Sequence, residues 1–150
     1  MGYKFKGKKF DEINVGDEFY TASRTVTEAD IVNFAGLSGD YNPLHTNKEY
    51  AEKEGPYGGI VAHGALTFSI ATGLTNQLGP FEGNLLGFAG IELKFTAPVR
   101  PGDTIHAIMT VIEKKETSKP NKGVVVTTAH VYNQDDVKVI DQKFTMIVAR

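Results

Sequence analysis

Apolar and polar positions change their rhythm several times along the chain. Residues 18–26 combine β-branched and aromatic side chains behind the turn signal Asn14-Val15-Gly16-Asp17, which predicts a strand. Thr27 and Asp30 follow, ahead of Ile31, Phe34, Ala35 and Leu37. That spacing predicts a capping box, with Asp30 where Glu or Gln is commoner, and a short amphipathic helix behind it. The helix should stop between Gly36 and Gly39, because glycine accepts a left-handed residue at little cost.

Residues 39–59 lose all periodicity. Asp40, Asn42, Pro43, Gly55, Pro56, Gly58 and Gly59 are turn formers, and only residues 48–53 could hold a short helix. A loop of about 20 residues inside a compact domain is uncommon and often functional. Residues 64–78 then run without a single charge, with small or apolar groups on all faces. A helix of that kind is buried on most sides. Gly79-Pro80 ends it.

The second half alternates as strands do. Ile91, Leu93 and Phe95 interleave with Glu92 and Lys94, and a turn spans residues 98–103. Residues 104–112 put Ile105, Ala107, Met109 and Val111 on one face. Residues 123–133 and 137–149 pair across the turn Gln134-Asp135-Asp136, the second setting Ile140, Phe144, Met146 and Val148 together. The pattern predicts one α+β domain over residues 1–150, with about five antiparallel strands and one buried helix.

Composition narrows the chemistry. With 150 residues, 41% hydrophobic and 23% charged, the chain can bury a core unaided. A net charge of −2 gives no electrostatic case for nucleic acid. No run approaches the roughly 20 apolar residues of a membrane span. Lys4, Lys6, Lys8 and Lys9 precede no apolar run, so residues 1–9 read as a flexible or peripheral arm rather than a signal peptide or an anion contact. The absence of Cys removes thiol nucleophiles, disulfides and thiolate metal sites, and fits a reducing, cytoplasmic setting. His45, His63, His106 and His130 lack metal-ligand spacing, so no metal is expected. Phosphate loops, nucleophile elbows and dinucleotide fingerprints are absent as well.

Two stretches could carry chemistry. Asp40-Tyr41-Asn42-Pro43-Leu44-His45 sets a carboxylate and an imidazole on a turn stiffened by Asn-Pro, so that both could meet one water. The plainer reading is an Asx turn followed by a surface histidine. His63-Gly64 opens the uncharged helix, whose first N–H groups lack intrahelical partners and would suit a developing oxyanion. Its plainer reading is a helix start packed on a strand, with His63 structural. Spacing alone leaves both pairs of alternatives open.

Taken together, Phe34, Ser38-Gly39-Asp40-Tyr41-Asn42-Pro43-Leu44-His45 and Ala51 resemble the hydratase signature of the R-specific enoyl-CoA hydratases, the MaoC-like hydratase/dehydratase family. His63-Gly64 and the run from Leu93 to Asp103 resemble further family elements, and the likeness covers about residues 10–150. The resemblance implies a hot-dog fold, a curled sheet around one central helix, usually dimeric or of higher order. It implies action on acyl-CoA or acyl-carrier-protein thioesters without a cofactor. It also implies catalytic roles for Asp40, His45 and the Gly64 N–H, and substrate contacts for Asn42, His63 and Thr72. Thr72 stands where some members have a serine. Thioesterases and acyl-carrier-protein dehydratases of this shape commonly carry a carboxylate on the central helix, and residues 64–78 have none. A non-catalytic acyl-binding subunit is the remaining alternative, and intact Asp40 and His45 weigh against it.

Overall fold

The long strands of the second half frame the molecule. The computed structural model describes residues 2–150. A 3-10 turn at Phe10–Glu12 leads to β1 (Glu18–Tyr20), β2 (Arg24–Thr25), α1 (Glu28–Ser38), α2 (Pro43–Thr46), α3 (Lys48–Lys53) and α4 (Gly64–Gln77). Then come β3 (Leu85–Phe95), β4 (Thr104–Glu116), β5 (Lys122–Tyr132) and β6 (Lys138–Ala149). All pairings are antiparallel in the order β1-β4-β5-β6-β3, with β2 also on β4. The sheet thus has six strands rather than about five.

The extra strand has a local cause. Residues 18–26 read as one strand, but the register slips by one between Tyr20↔Ile108 and Arg24↔Ile105. Thr21 Oγ1 accepts the Ala107 N–H at 2.8 Å, so a side chain substitutes for the ladder at the break. β3 begins earlier than its alternation suggests, at Leu85, because register shifts beside Gly87 and Gly90 disguise the pattern. Residues 39–59 also hold more structure than expected. Asn42 caps α2 by accepting the Leu44 N–H at 3.0 Å, Pro43 opens it, and Asn47 caps α3 at Tyr50 N–H.

Leu66, Ile70, Ala71 and Leu74 of α4 pack on Ile105, Ala107, Val131, Val139 and Ile140. With no charge to keep wet, α4 can lie against the sheet along most of its length. A second cluster joins Phe10, Ile13 and Phe81 to Met109, Val125, Phe144 and Met146. The arm is peripheral but held. Lys8 N–H donates to Pro80 O, Asn84 Nδ2 to Gly7 O, and Gly7 sits where a Cβ would overlap the Glu82 backbone. No described helix is long and apolar enough to cross a membrane.

The α1 capping box forms as its spacing predicts. Asp30 N–H donates to Thr27 Oγ1 at 3.1 Å, and Asp30 Oδ2 accepts the Thr27 N–H at 2.8 Å. The Thr27 N–H bond, then the Thr27 hydroxyl and the Arg24 guanidinium, hold the Asp30 carboxyl below its ordinary 3.8, against the opposing effect of burial. A carboxyl depressed on folding contributes stability that is complete above 3.8 and disappears as pH falls through the lower folded value. The difference in urea-unfolding stability between wild type and Asp30→Asn should therefore be constant at neutral pH and shrink below pH 3.8. A pH-independent difference would refute the linkage.

Candidate active site

Local geometry delivers the first acid group. α1 ends on Gly39 in the left-handed region (φ 77°), its N–H donating to Ala35 O. Ser38 Oγ donates to Phe34 O and accepts the Asp40 N–H at 3.1 Å, fixing the next peptide. Asp40 Oδ1 in turn accepts the Asn42 N–H at 3.1 Å. The Asx turn forms, and it restrains the Asp40 carboxylate. Thr46 Oγ1 closes the turn on Tyr41 O and Asn42 O.

Two histidines cross the gap between this loop and the segment leading into α4. His45 Nδ1 lies 2.7 Å from Val61 O, and His63 Nε2 lies 2.9 Å from Asp40 O. A carbonyl can only accept, so His45 carries hydrogen on Nδ1 and presents the Nε2 lone pair, while His63 carries it on Nε2. The rings stack with centroids 3.9 Å apart at 29°, and Phe34 meets His63 edge-on at 5.0 Å. Val61 N–H to Leu44 O and Ala62 N–H to Val99 O tie the segment to both sides. An Asp40 carboxylate oxygen and ring nitrogens of His45 and His63 all lie within 4.8 Å of one another, among Asp40 exposed, His45 half-buried and His63 buried. A water can bridge groups at that distance. As ligands for a shared metal ion the set is compromised, because His45 Nδ1 and His63 Nε2 already bond carbonyl oxygens and the two rings stack face to face.

α4 supplies the donor. The Gly64 N–H makes no hydrogen bond among the described residues. It stands at the positive end of a helix of 14 residues. A Cβ on Gly64 would come within 2.7 Å of the Phe95 ring, so only glycine fits as the ring now lies. His45 and Gly64 line one cavity of about 440 Å³ together with Val61, Ala62, Phe95 and Val139. Phe95 carries no sequence signal for this place, being one alternating position of β3, and Val61 meets His45 through its carbonyl.

Not every expected contact converges there. Asn42 uses its side-chain oxygen to cap α2. His63 is only 2% exposed, and its Nε2 is turned to Asp40 O. Thr72 lies about 12 Å along α4 from its start by helical rise. It donates to Phe68 O and lines another cavity, with Phe68, Phe88 and Phe144. Elsewhere His106 stacks on Tyr132, and His130 Nδ1 sits 3.1 Å from Asp141 without hydrogen-bond alignment. Lys114 donates to Ile13 O and Arg100 to Tyr57 O, both serving the fold.

A six-stranded antiparallel sheet around a charge-free helix, with an Asp/His pair on the preceding loop, defines a hot-dog domain of the hydratase type. The chain belongs to the MaoC-like hydratase/dehydratase family: the profile described as "MaoC like domain" matches residues 11–134. It is 45% identical over 119 residues to Protein MaoC of Klebsiella aerogenes, a match covering 77% of this chain but only 33% of that longer protein. It is 38% identical over 102 residues to the (R)-specific enoyl-CoA hydratase of Rhodospirillum rubrum, covering 68% of each. The crystal structure of the MaoC-like dehydratase from Rhodospirillum rubrum superimposes with a TM-score of 0.88 at 32% identity, covering 96% of this chain and 98% of that one.

Gly39 offers a clean check of how the site is built. Space around its Cβ position is open, so the left-handed backbone alone sets the cost of a side chain. Gly39→Ala should lower stability by about 1–2 kcal/mol in urea unfolding. An unchanged midpoint would show that the turn before Asp40 relaxes freely.

Proposed function

We propose that this protein interconverts trans-2-enoyl-CoA and (R)-3-hydroxyacyl-CoA by adding or removing water. The observation that carries the reading is the Asp40 carboxylate within 4.8 Å of His45, whose Nε2 is left free by the Val61 bond and which lines one cavity with Gly64. In hydration, the water held by Asp40 and His45 forms the new C3–O bond and gives one proton to the pair. The electrons of the double bond move toward the thioester oxygen, which the Gly64 N–H receives as it gains negative charge. The pair then supplies a proton to C2, and the thioester carbonyl re-forms. Dehydration runs the same steps backward. The reaction is redox-neutral, so it needs no redox cofactor.

Magnitudes show why all the parts are needed. Positioned acid–base groups supply about 10²–10⁴ in rate. One oxyanion donor supplies about 10²–10³. The remainder must come from holding water and thioester in line, which the Asx turn and the helix start do as rigid elements. A thioesterase reading lacks the helix carboxylate that such enzymes commonly use, since α4 has no Asp or Glu.

The working unit we propose is a homodimer or higher homo-oligomer. β3 is an unpaired edge, and Leu86, Phe88, Ile91 and Phe95 are exposed along it. A second copy would cover both the edge and the apolar patch.

Turnover of a short trans-2-enoyl-CoA, followed by loss of enoyl absorbance, tests the reading. Asp40→Asn and His45→Gln should each lower kcat by about 10²–10⁴. Gly64→Ala should also slow turnover, by displacing Phe95 and crowding the donor. Chiral analysis of the product should give the R alcohol. Wild-type rates in both Asp40→Asn and His45→Gln would sink the assignment. Folded wild type inactive on CoA and acyl-carrier-protein enoyl thioesters would favour an acyl-binding subunit instead.

A further inference from the structure

We propose that His63 is a positioning residue that sets Asp40, His45 and the Gly64 N–H relative to one another without touching the substrate. The inference rests on the hydratase reading above and assigns His63 a different part from a substrate contact.

His63 occupies the N-cap of α4 yet makes no capping bond with its side chain. Ser, Thr, Asp or Asn at that position would satisfy an orphan N–H of the helix. The imidazole instead reaches 23 residues back in sequence and donates from Nε2 to Asp40 O. The Asp40 N–H is already held by Ser38 Oγ. Both peptide groups of Asp40 are thereby fixed, and its carboxylate keeps only side-chain rotation, which the Asn42 N–H restrains.

The same ring supports His45. Val61 O holds His45 at one nitrogen, which leaves the ring free to rock about that bond. The face of His63, 3.9 Å away, removes that freedom, and Phe34 meets His63 edge-on at 5.0 Å. Gly64 follows His63 directly in the chain, so the helix donor moves with it. His63 Nδ1 is buried with no partner, so the ring is anchored only through Nε2 and its faces. A side chain kept so far from water with one nitrogen unpaired is more than cap or filler requires.

These contacts separate in substitution. His63→Gln keeps an amide N–H at similar reach for Asp40 O but loses the stacking face. His63→Phe keeps the face and loses the donor. His63→Ala loses both. A group acting through others lowers kcat and leaves KM near its wild-type value, whereas a lost uniform substrate contact raises KM with kcat unchanged. Misplacement by about 1 Å can cost about 100-fold.

The experiment compares steady-state kinetics of the full chain and the three variants on a short trans-2-enoyl-CoA, with thermal melts and histidine side-chain ¹⁵N spectra alongside. Expected results are a kcat for His63→Ala lower by about 10–100-fold at nearly constant KM, with His63→Gln and His63→Phe each recovering part of the loss. The wild-type spectrum should show Nδ1–H at His45 and Nε2–H at His63, and His63→Ala should average the His45 tautomers. If His63→Ala does not fold, the Gln and Phe variants carry the comparison. A KM increase with unchanged kcat would overturn the proposal in favour of a substrate contact. Wild-type kinetics together with an unaltered His45 spectrum would overturn it outright. Inactive wild type whose His45 spectrum responds to His63→Ala would refute the hydratase reading and leave the positioning role standing.

Discussion

Two crossed hydrogen bonds hold the site together. His45, on the loop after α1, bonds to a carbonyl of the segment entering α4, and His63, on that segment, bonds to a carbonyl of the loop. One backbone bond, Val61 N–H to Leu44 O, joins the same two stretches, and the two imidazoles add the side-chain ties. Each bond also decides which nitrogen of its ring carries hydrogen, so the ties that join the segments also fix the tautomers of both rings. Stacking of the rings makes the two bonds one unit, because neither imidazole can tilt without displacing the other.

Around that lock, the distribution of charge follows a simple division of labour. α4 carries no ionisable side chain and can bury Leu66, Ile70, Ala71 and Leu74 under the sheet without desolvating a charge. Its contribution to the site is backbone, the free Gly64 N–H. The ionisable groups sit instead on a loop braced by caps and an Asx turn, where Asp40 stays exposed to water. His45 of the loop and Gly64 of the helix line one cavity, and the Asp40 carboxylate lies within 4.8 Å of a His45 ring nitrogen.

Local features were legible in the sequence and long-range ones were not. Thr27 and Asp30, Gly39, and Asp40-Asn42-Pro43 all act within a few residues of themselves, so spacing alone foretold the capping box, the left-handed stop and the turn. The long alternation of β4, β5 and β6 was legible for the same reason. The break between β1 and β2 depends on Thr21 meeting Ala107 across the sheet, which no nearby residue announces. Gly87 and Gly90 hid the first half of β3 by switching its register. Val61 enters the site through its carbonyl, and a backbone atom leaves no mark on the sequence. His63 was visible as a histidine at a helix start, but its direction was not, since it depends on where the chain folds back 23 residues away.

Phe95 links the site to the β3 edge of the sheet. It closes the exposed edge strand β3, is itself 55% exposed, and rests its ring on Gly64. The apolar row from Leu86 to Phe95 thus ends beside Gly64, so in the reaction proposed above a second copy covering that row would also shield the Gly64 N–H from water. An oxyanion donor gains strength as solvent is excluded from it. The same residue that leaves the isolated chain with an apolar edge would then serve catalysis once that edge is covered, which gives the exposed position of Phe95 a physical reason.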